Sequence, residues 1–201
     1  MTPSSRRVAG LLSVLTAAAL TTVPVASASA AETTFKDARG DVWRATSAVA
    51  AVPSPTTRQG DLTRAVVHYE GHDVKIGLHF VSLRKRDAYA QYAVRLQGRQ
   101  GKVVRTVTVE TSKRDRKGVH RVFNANDGDV TCDAGHHVDY VKDRVTVTLD
   151  RRCLSSPRAV RVNVNTGRAT TTKRQDAVFY SDNAHDAAAS SAAWSAWVKR
   201  G

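Results

Sequence analysis

The stretch CDAGHHVDYVKDRVTVTLDRRC, residues 132–153, carries both cysteines of a 201-residue chain and decides how the rest is read. Between Asp139 and Asp150 the apolar Tyr140, Val145, Val147 and Leu149 alternate with Asp139, Arg144, Thr146 and Thr148. A period of two sends alternate side chains to opposite faces, so the stretch reads as a β-hairpin with one face buried. A two-residue turn at Lys142 and Asp143 would pair Val141 with Arg144, Tyr140 with Val145 and Val138 with Val147. Carried outward, that register sets Cys132 opposite Cys153 as a non-hydrogen-bonded pair, with Cα atoms roughly 4.5 Å apart. This is the short end of what a disulfide tolerates, about 4.4 to 6.8 Å. Two free buried thiols are the competing reading, but a chain sent to an oxidising compartment favours the bond. Closing this loop is expected to contribute on the order of 3 kcal/mol. Gly135 is placed to bulge the outer ladder.

The compartment follows from the first 30 residues. Arg6 and Arg7 precede an apolar run from Val8 to Leu20, and small residues end in Ala28-Ser29-Ala30. This is the pattern of a secretory signal peptide, with cleavage expected after Ala30. The run is too short for a membrane anchor. The paired arginines are a weak match to twin-arginine export, so the general route is expected. The expectation is therefore a signal peptide at 1–30 and one domain at 31–201, an extracellular monomer. Removing the leader takes two of the 31 Lys and Arg and none of the 18 acids, so the net charge falls from +13 to +11.

Most of that excess lies between Arg84 and Arg121, where twelve Lys and Arg face three acids. The same span reads as strands, because Tyr92, Val94 and Leu96 alternate, Gly98 to Gly101 turns, and Val103 to Val109 returns. Equal pairing across a four-residue loop would set Arg105 on the apolar face, which a bulge would correct. A better specified hairpin precedes it. With a turn at Glu70 to Asp73, one face collects Ala65, Val67, Tyr69, Val74, Ile76, Leu78 and Phe80. His68 and His79 fall on the other face, about 13 Å apart at roughly 3.3 Å per residue, too far to share a metal.

Candidate oxygen ligands sit near both ends of the domain. Asp37-Ala-Arg-Gly-Asp41 is an acidic turn whose carboxylates could join Asp182 and Asn183 around Ca²⁺, which takes six to eight oxygens. The competing reading is a turn that satisfies its own backbone through its aspartates. Arg39-Gly40-Asp41 also spells an adhesion tripeptide, which three residues match by chance. Asn124 to Asp129 fails as an EF-hand, because the sixth and twelfth places hold Asp129 and Gly135, and a hairpin turn into Val130 is preferred.

After Cys153, Val160, Val162 and Val164 alternate as a half-buried strand, Thr166 to Arg174 reads as polar loop, and Ala177 to Tyr180 as a short strand. Asp182 to Asp186 reads as an acidic turn, and Ala187 to Ala193 as a brief helix or tether leading to Trp194 and Trp197. These tryptophans and Trp43 are candidates to stack on sugar rings, although terminal aromatics more commonly close a core. The fold expected from these pieces is all-β, a single antiparallel β-sandwich, jelly-roll-like, with one disulfide.

The leader, the Asp37 to Asp41 turn, the segment Val74 to Leu83, the Cys132 hairpin, Cys153-Leu-Ser-Ser-Pro157 with Val160-Arg-Val162, and Asp182-Asn-Ala-His185 together resemble uncharacterised small secreted actinobacterial proteins with a single β-sandwich domain. That resemblance implies no catalytic residues. Three functions are weighed. The first is a secreted non-catalytic binding protein for carbohydrate or cell-wall polymer, using Trp43, Trp194 or Trp197. The second is a polyanion binder for wall teichoic acid or extracellular nucleic acid, using Lys113, Arg114, Arg116 and Lys117. The third is a hydrolase, against which stands the lack of a nucleophile motif such as G-x-S-x-G in the sequence.

Overall fold

The computed structural model describes residues 31–100, 103–173, 176–184 and 193–201, so the expected leader and most of the Ala/Ser run lie outside the described residues. The described residues form two antiparallel sheets packed face to face. One has the order β1 (Ala31–Lys36), β4 (Leu62–Glu70), β5 (Asp73–Phe80), β10 (Arg144–Asp150), β9 (Ala134–Asp139). The other runs β3 (Val52–Pro53), β2 (Trp43–Thr46), β12 (Val178–Asn183), β11 (Ala159–Ala169), β6 (Tyr89–Gly98), β7 (Val104–Ser112), β8 (Val119–Phe123). A short β13 (Val198–Lys199) pairs with the start of β11. No described helix is long and apolar enough to cross a membrane.

The alternation read from the sequence becomes the interface between the sheets. Val67, Tyr69, Val74, Ile76 and Leu78 meet Val94, Leu96, Val107, Val109, Val160, Val162 and Val164, all fully buried. Burying each such side chain contributes about 1.5–3 kcal/mol, which is why the inward faces fix the fold. The β4–β5 hairpin has the expected register, with Tyr69 opposite Val74 and Arg64 opposite His79.

The central hairpin forms with a different register. Asp139 pairs with Arg144 and Val138 with Val145, two residues from the expected partners, and residues 140–143 make a four-residue turn. The cause is local chemistry. The Asp139 carboxylate accepts hydrogen bonds from the Val141 and Lys142 N–H groups, and Asp143 takes φ +48°. A shift of two keeps every side chain on its face, so the inward set Val145, Val147 and Leu149 is unchanged. Gly135 pairs regularly with Thr148, without a bulge.

The Cys132–Cys153 disulfide is present with Cα atoms 5.8 Å apart, wider than the strand register implied. The last pair of the ladder is Leu149 with Ala134, and Cys153 sits beyond it in a 3-10 turn, Arg151–Leu154, capped by the Asp150 side chain on the Arg152 N–H. The bond therefore fastens the mouth of the hairpin rather than a rung of it.

Three further expectations change. Arg105 does fall on the apolar face, opposite Leu96, and no bulge intervenes in β6–β7. Arg105 stays half-buried near the sheet's end and donates to the Val104 carbonyl, as a long side chain can. β11 extends to Ala169 through the segment expected to be loop, and Asp182 and Asn183 lie in β12 rather than in a turn. Asn124 to Asp129 does turn the chain back, its Asn124 carboxamide accepting from Asn126 and Gly128. Where the edge strands β8 and β9 of the two sheets meet, His120 Nδ1 lies 2.9 Å from His136 Nδ1. His136 Nε2 donates to the Lys117 carbonyl, so His136 Nδ1 is the acceptor and His120 the donor.

Candidate metal centre and the basic outer face

The chain crosses from one sheet to the other between β1 and β2, through the turn Asp37 to Asp41. Gly40 makes that turn possible. It adopts φ +80°, and a Cβ there would meet the Pro55 carbonyl oxygen at 2.8 Å, so only glycine fits. Its N–H donates to Asp61 Oδ2 at 3.1 Å, drawing the residue before β4 to the turn. From the other sheet, Asp182 points between the layers. The inward face of β11 runs Val160, Val162, Val164, Thr166, Arg168, and pairing sets Asp182 opposite Thr166 and Tyr180 opposite Arg168. At this end of the sandwich the interior turns from apolar to polar.

Asp37, Asp41 and Asp182 each bring a carboxylate oxygen within 4.8 Å of the others. Asp61 adds a fourth charge felt by Asp182. Asp182 and Asp61 are 1% and 3% exposed, yet Oδ1 of each has no hydrogen-bond partner, and neither oxygen of Asp41 has a donor outside its own residue. One Asp182 oxygen does accept the Leu62 N–H at 2.7 Å. Burial pushes the Asp182 carboxyl up to about 7, with the charges of Asp41 and Asp61 adding to the rise and the Leu62 N–H opposing it. Burial also raises Asp41 and Asp61.

Buried carboxylates are ordinarily paired or bound to metal. Here buried Asp182 meets half-buried Asp37 and Asp41 at the junction of the sheets, with orphaned oxygens on Asp182 and Asp41, and an all-oxygen set suits a hard cation such as Ca²⁺. Of the expected ligands, Asp37, Asp41 and Asp182 come together. Asn183 is the next strand residue after Asp182, and alternation directs its side chain to the opposite face. Asp61 was missed, although an acid standing just before an alternating strand in a basic chain was a usable signal.

Farther along the same inward face lies a largely buried ion pair. Arg168 Nη1 stands 3.5 Å from Asp87, its Nε donates to the Gln59 carbonyl, and its Cζ sits 3.7 Å above the Tyr180 ring. Gln59 also donates to the Asp87 carboxylate.

The other expected binding residues do not form one site. Trp43 lies on β2, between partners on β12 and β3. Lys113, Arg114, Arg116 and Lys117 are exposed in the β7–β8 turn, whose backbone is ordered by Asp115 accepting from Gly118 and by Tyr140 donating to the Arg116 carbonyl. Trp194 and Trp197 neither close the core nor stand free. They lie on the outer face of the larger sheet, where Arg161 stacks between them at 4.8 and 5.0 Å, Arg95 covers Trp194 at 5.6 Å and Arg99 covers Trp197 at 5.9 Å. Arg95 thus points away from the core, as alternation requires, but onto a ring. No protein-family model, curated protein or solved structure matches the chain.

Proposed function

We propose that this chain is an exported, calcium-binding β-sandwich module that acts by binding an extracellular carbohydrate or cell-wall polymer rather than by catalysis. The observation that carries the calcium reading is Asp182, buried where the two sheets meet, with a carboxylate oxygen within 4.8 Å of those of Asp37 and Asp41. An ion there would join the β1–β2 crossover to β12 and so brace the sandwich at one end. The leader pattern supports export, and the charge of +11 after its removal supports an anionic polymer as the ligand.

Binding that is confined to the folded state raises stability by about 2.7 kcal/mol at one hundred times Kd. For a domain of this size that is a Tm increase of roughly 5–10 °C. Melts at pH 7.5 in millimolar CaCl₂ and in EDTA are expected to differ by that amount, and the difference is expected to vanish in Asp182→Asn. Identical melts would remove calcium from the reading.

The pH dependence has a definite sign. Asp182 ionises near 3.8 when unfolded and near 7 when folded, so between those values the folded state holds a proton the unfolded chain has released. Without calcium, its contribution therefore falls as pH rises through that window. Calcium needs the carboxylate, so the calcium response is expected to grow over the same range. Comparing the parent with Asp182→Asn at each pH cancels distant groups such as His120, whose pKa burial lowers, and leaves Asp182 with its neighbours Asp41 and Asp61. A calcium response that shrinks with rising pH would contradict the assignment.

A further inference from the structure

The outer face of the larger sheet carries a second feature that the calcium site does not use. The segment from Ala193 to Lys199 is laid along β11 by backbone pairing. Ser195 N–H donates to the Val162 carbonyl at 2.8 Å, Val162 N–H donates to Ser195 Oγ at 3.0 Å, and Val160 pairs with Val198. Asn163 adds a bond to the Ala193 carbonyl at 2.6 Å. Trp194 and Trp197 are thereby fixed on the sheet at three-residue spacing, and Arg95, Arg161 and Arg99 fill the spaces beside them. The order across the face is Arg95, Trp194, Arg161, Trp197, Arg99.

The ladder opens at its Arg99 end into a cleft of about 640 Å³ lined by Arg99, Gln100, Arg158, Ala159, Lys199 and Arg200. That volume lies within the range of ligand clefts, about 300–1,000 Å³. Arg158 N–H donates to Gln100, and Arg200 N–H donates to the Arg158 carbonyl, so the lining backbone is tied together. Among the described residues, none of Arg95, Arg99, Arg158, Arg161, Lys199 and Arg200 is ion-paired with a carboxylate.

We propose that this strip is the polymer-binding surface and that its ligand is a phosphodiester-linked polyol or sugar-phosphate chain. This rests on the binding reading above and names both its site and its ligand class. Two physical arguments select phosphate. Five of the six cations are arginine, whose planar fork of N–H donors matches two phosphate oxygens at once. Arg161 donates its Nε–H to Gln97 at 2.8 Å, which leaves the Nη donors of a guanidinium stacked on indole to face an anion while the ring restricts its motion, so less order is lost on binding. The same stacking argues against a nucleic acid. Single strands are held by bases stacking on exposed aromatic faces, and here arginine flanks the rings of both tryptophans on the strip.

The test uses the whole chain after leader removal, with three probes: a glycerol-phosphate polymer of defined length, a single-stranded oligodeoxynucleotide of equal charge, and a neutral glucan. Affinities are measured from about 50 to 500 mM NaCl, since contacts that release counterions weaken steeply over such a range. The parent is expected to bind the glycerol-phosphate polymer with strong salt dependence and the glucan not at all. The variant Arg99→Gln/Arg158→Gln/Arg200→Gln changes exposed side chains only, and is expected to bind at least about tenfold more weakly with a shallower salt slope. Neutralising Lys113, Arg114, Arg116 and Lys117 is expected to change affinity less than about threefold. Loss of binding in that turn variant but not in the strip variant would overturn the site while leaving the binding reading intact. Tighter binding of the oligonucleotide than of the glycerol-phosphate polymer would overturn the ligand class. A parent that binds none of the three probes would overturn this inference and the polymer reading together.

Discussion

Replacing Arg168 by leucine is expected to lower stability by about 3–5 kcal/mol, because it leaves Asp87 buried without its cation. For a domain of this size the corresponding fall in Tm is on the order of 10 °C. The arrangement explains why one change matters so much. The side chains of Arg168 and Asp87 are 10% and 16% exposed, and Gln59 serves both partners, donating to Asp87 and accepting from Arg168 through its carbonyl. Burial raises the Asp87 carboxyl in spite of Arg168 beside it, and burial lowers the Arg168 guanidinium in spite of Asp87. Both directions say that removing these charges from water costs more than their attraction returns. Replacing both partners with apolar residues is therefore expected to be far milder than the single change, with the Gln59 amide left as the remaining deficit. Urea melts of Arg168→Leu, Asp87→Leu and the double variant test this as a cycle. Additive losses in the double variant would show that the two side chains act separately and that the pair has no mutual dependence.

Removing the disulfide, by Cys132→Ser with Cys153→Ser, is the second large effect, on the order of 3 kcal/mol for a loop of this size. Its origin differs from that of Arg168. The bond lies beyond the last pair of the β9–β10 ladder, so its loss leaves the strands' hydrogen bonds intact and acts mainly by freeing the unfolded chain. Chemical denaturation is expected to show a lower midpoint, with any calcium response of the folded protein retained, since the aspartates lie in the β1–β2 crossover, just before β4 and on β12, away from the hairpin. Thiol labelling of denatured, unreduced parent is expected to find no free thiols. Two free thiols per chain would mean that the bond does not form, and a variant as stable as the parent would mean that it does not stabilise the fold.

Much of the fold was legible in the local pattern, and the exceptions share a cause. The β4–β5 hairpin could be read to the residue from Arg64 to His79, because its turn is two residues and its inward face is uninterrupted, although the register shift between Leu62 and Arg64 went unread. The β9–β10 hairpin could be read by face but not by partner, since the Asp139 side chain makes a four-residue turn that spacing alone does not distinguish from a two-residue one. β11 looked shorter than it is because Thr166 and Arg168 occupy inward positions, and a polar interior erases the alternation of apolar and polar residues on which the reading depends.

For the candidate site, the sequence by itself determined the ingredients: an acidic turn at Asp37 to Asp41, an acid at Asp182, a single cysteine pair, and a basic excess with terminal tryptophans. A short period of two and a turn glycine are local properties, so they survive without any knowledge of the partner strand. Only the tertiary structure decided which ingredients meet. Leu62 and Asp182 are 120 positions apart and joined by one hydrogen bond, and the Asp61 carboxylate is held beside the Asp37 to Asp41 turn by the Gly40 N–H. Likewise, Arg95 and Arg161 are outward positions on neighbouring strands, indistinguishable in sequence from solvated charges until the Trp194 ring is set against both. Burial and charge pairing depend on what the opposite layer contributes, and no stretch of sequence carries that information about its own neighbours.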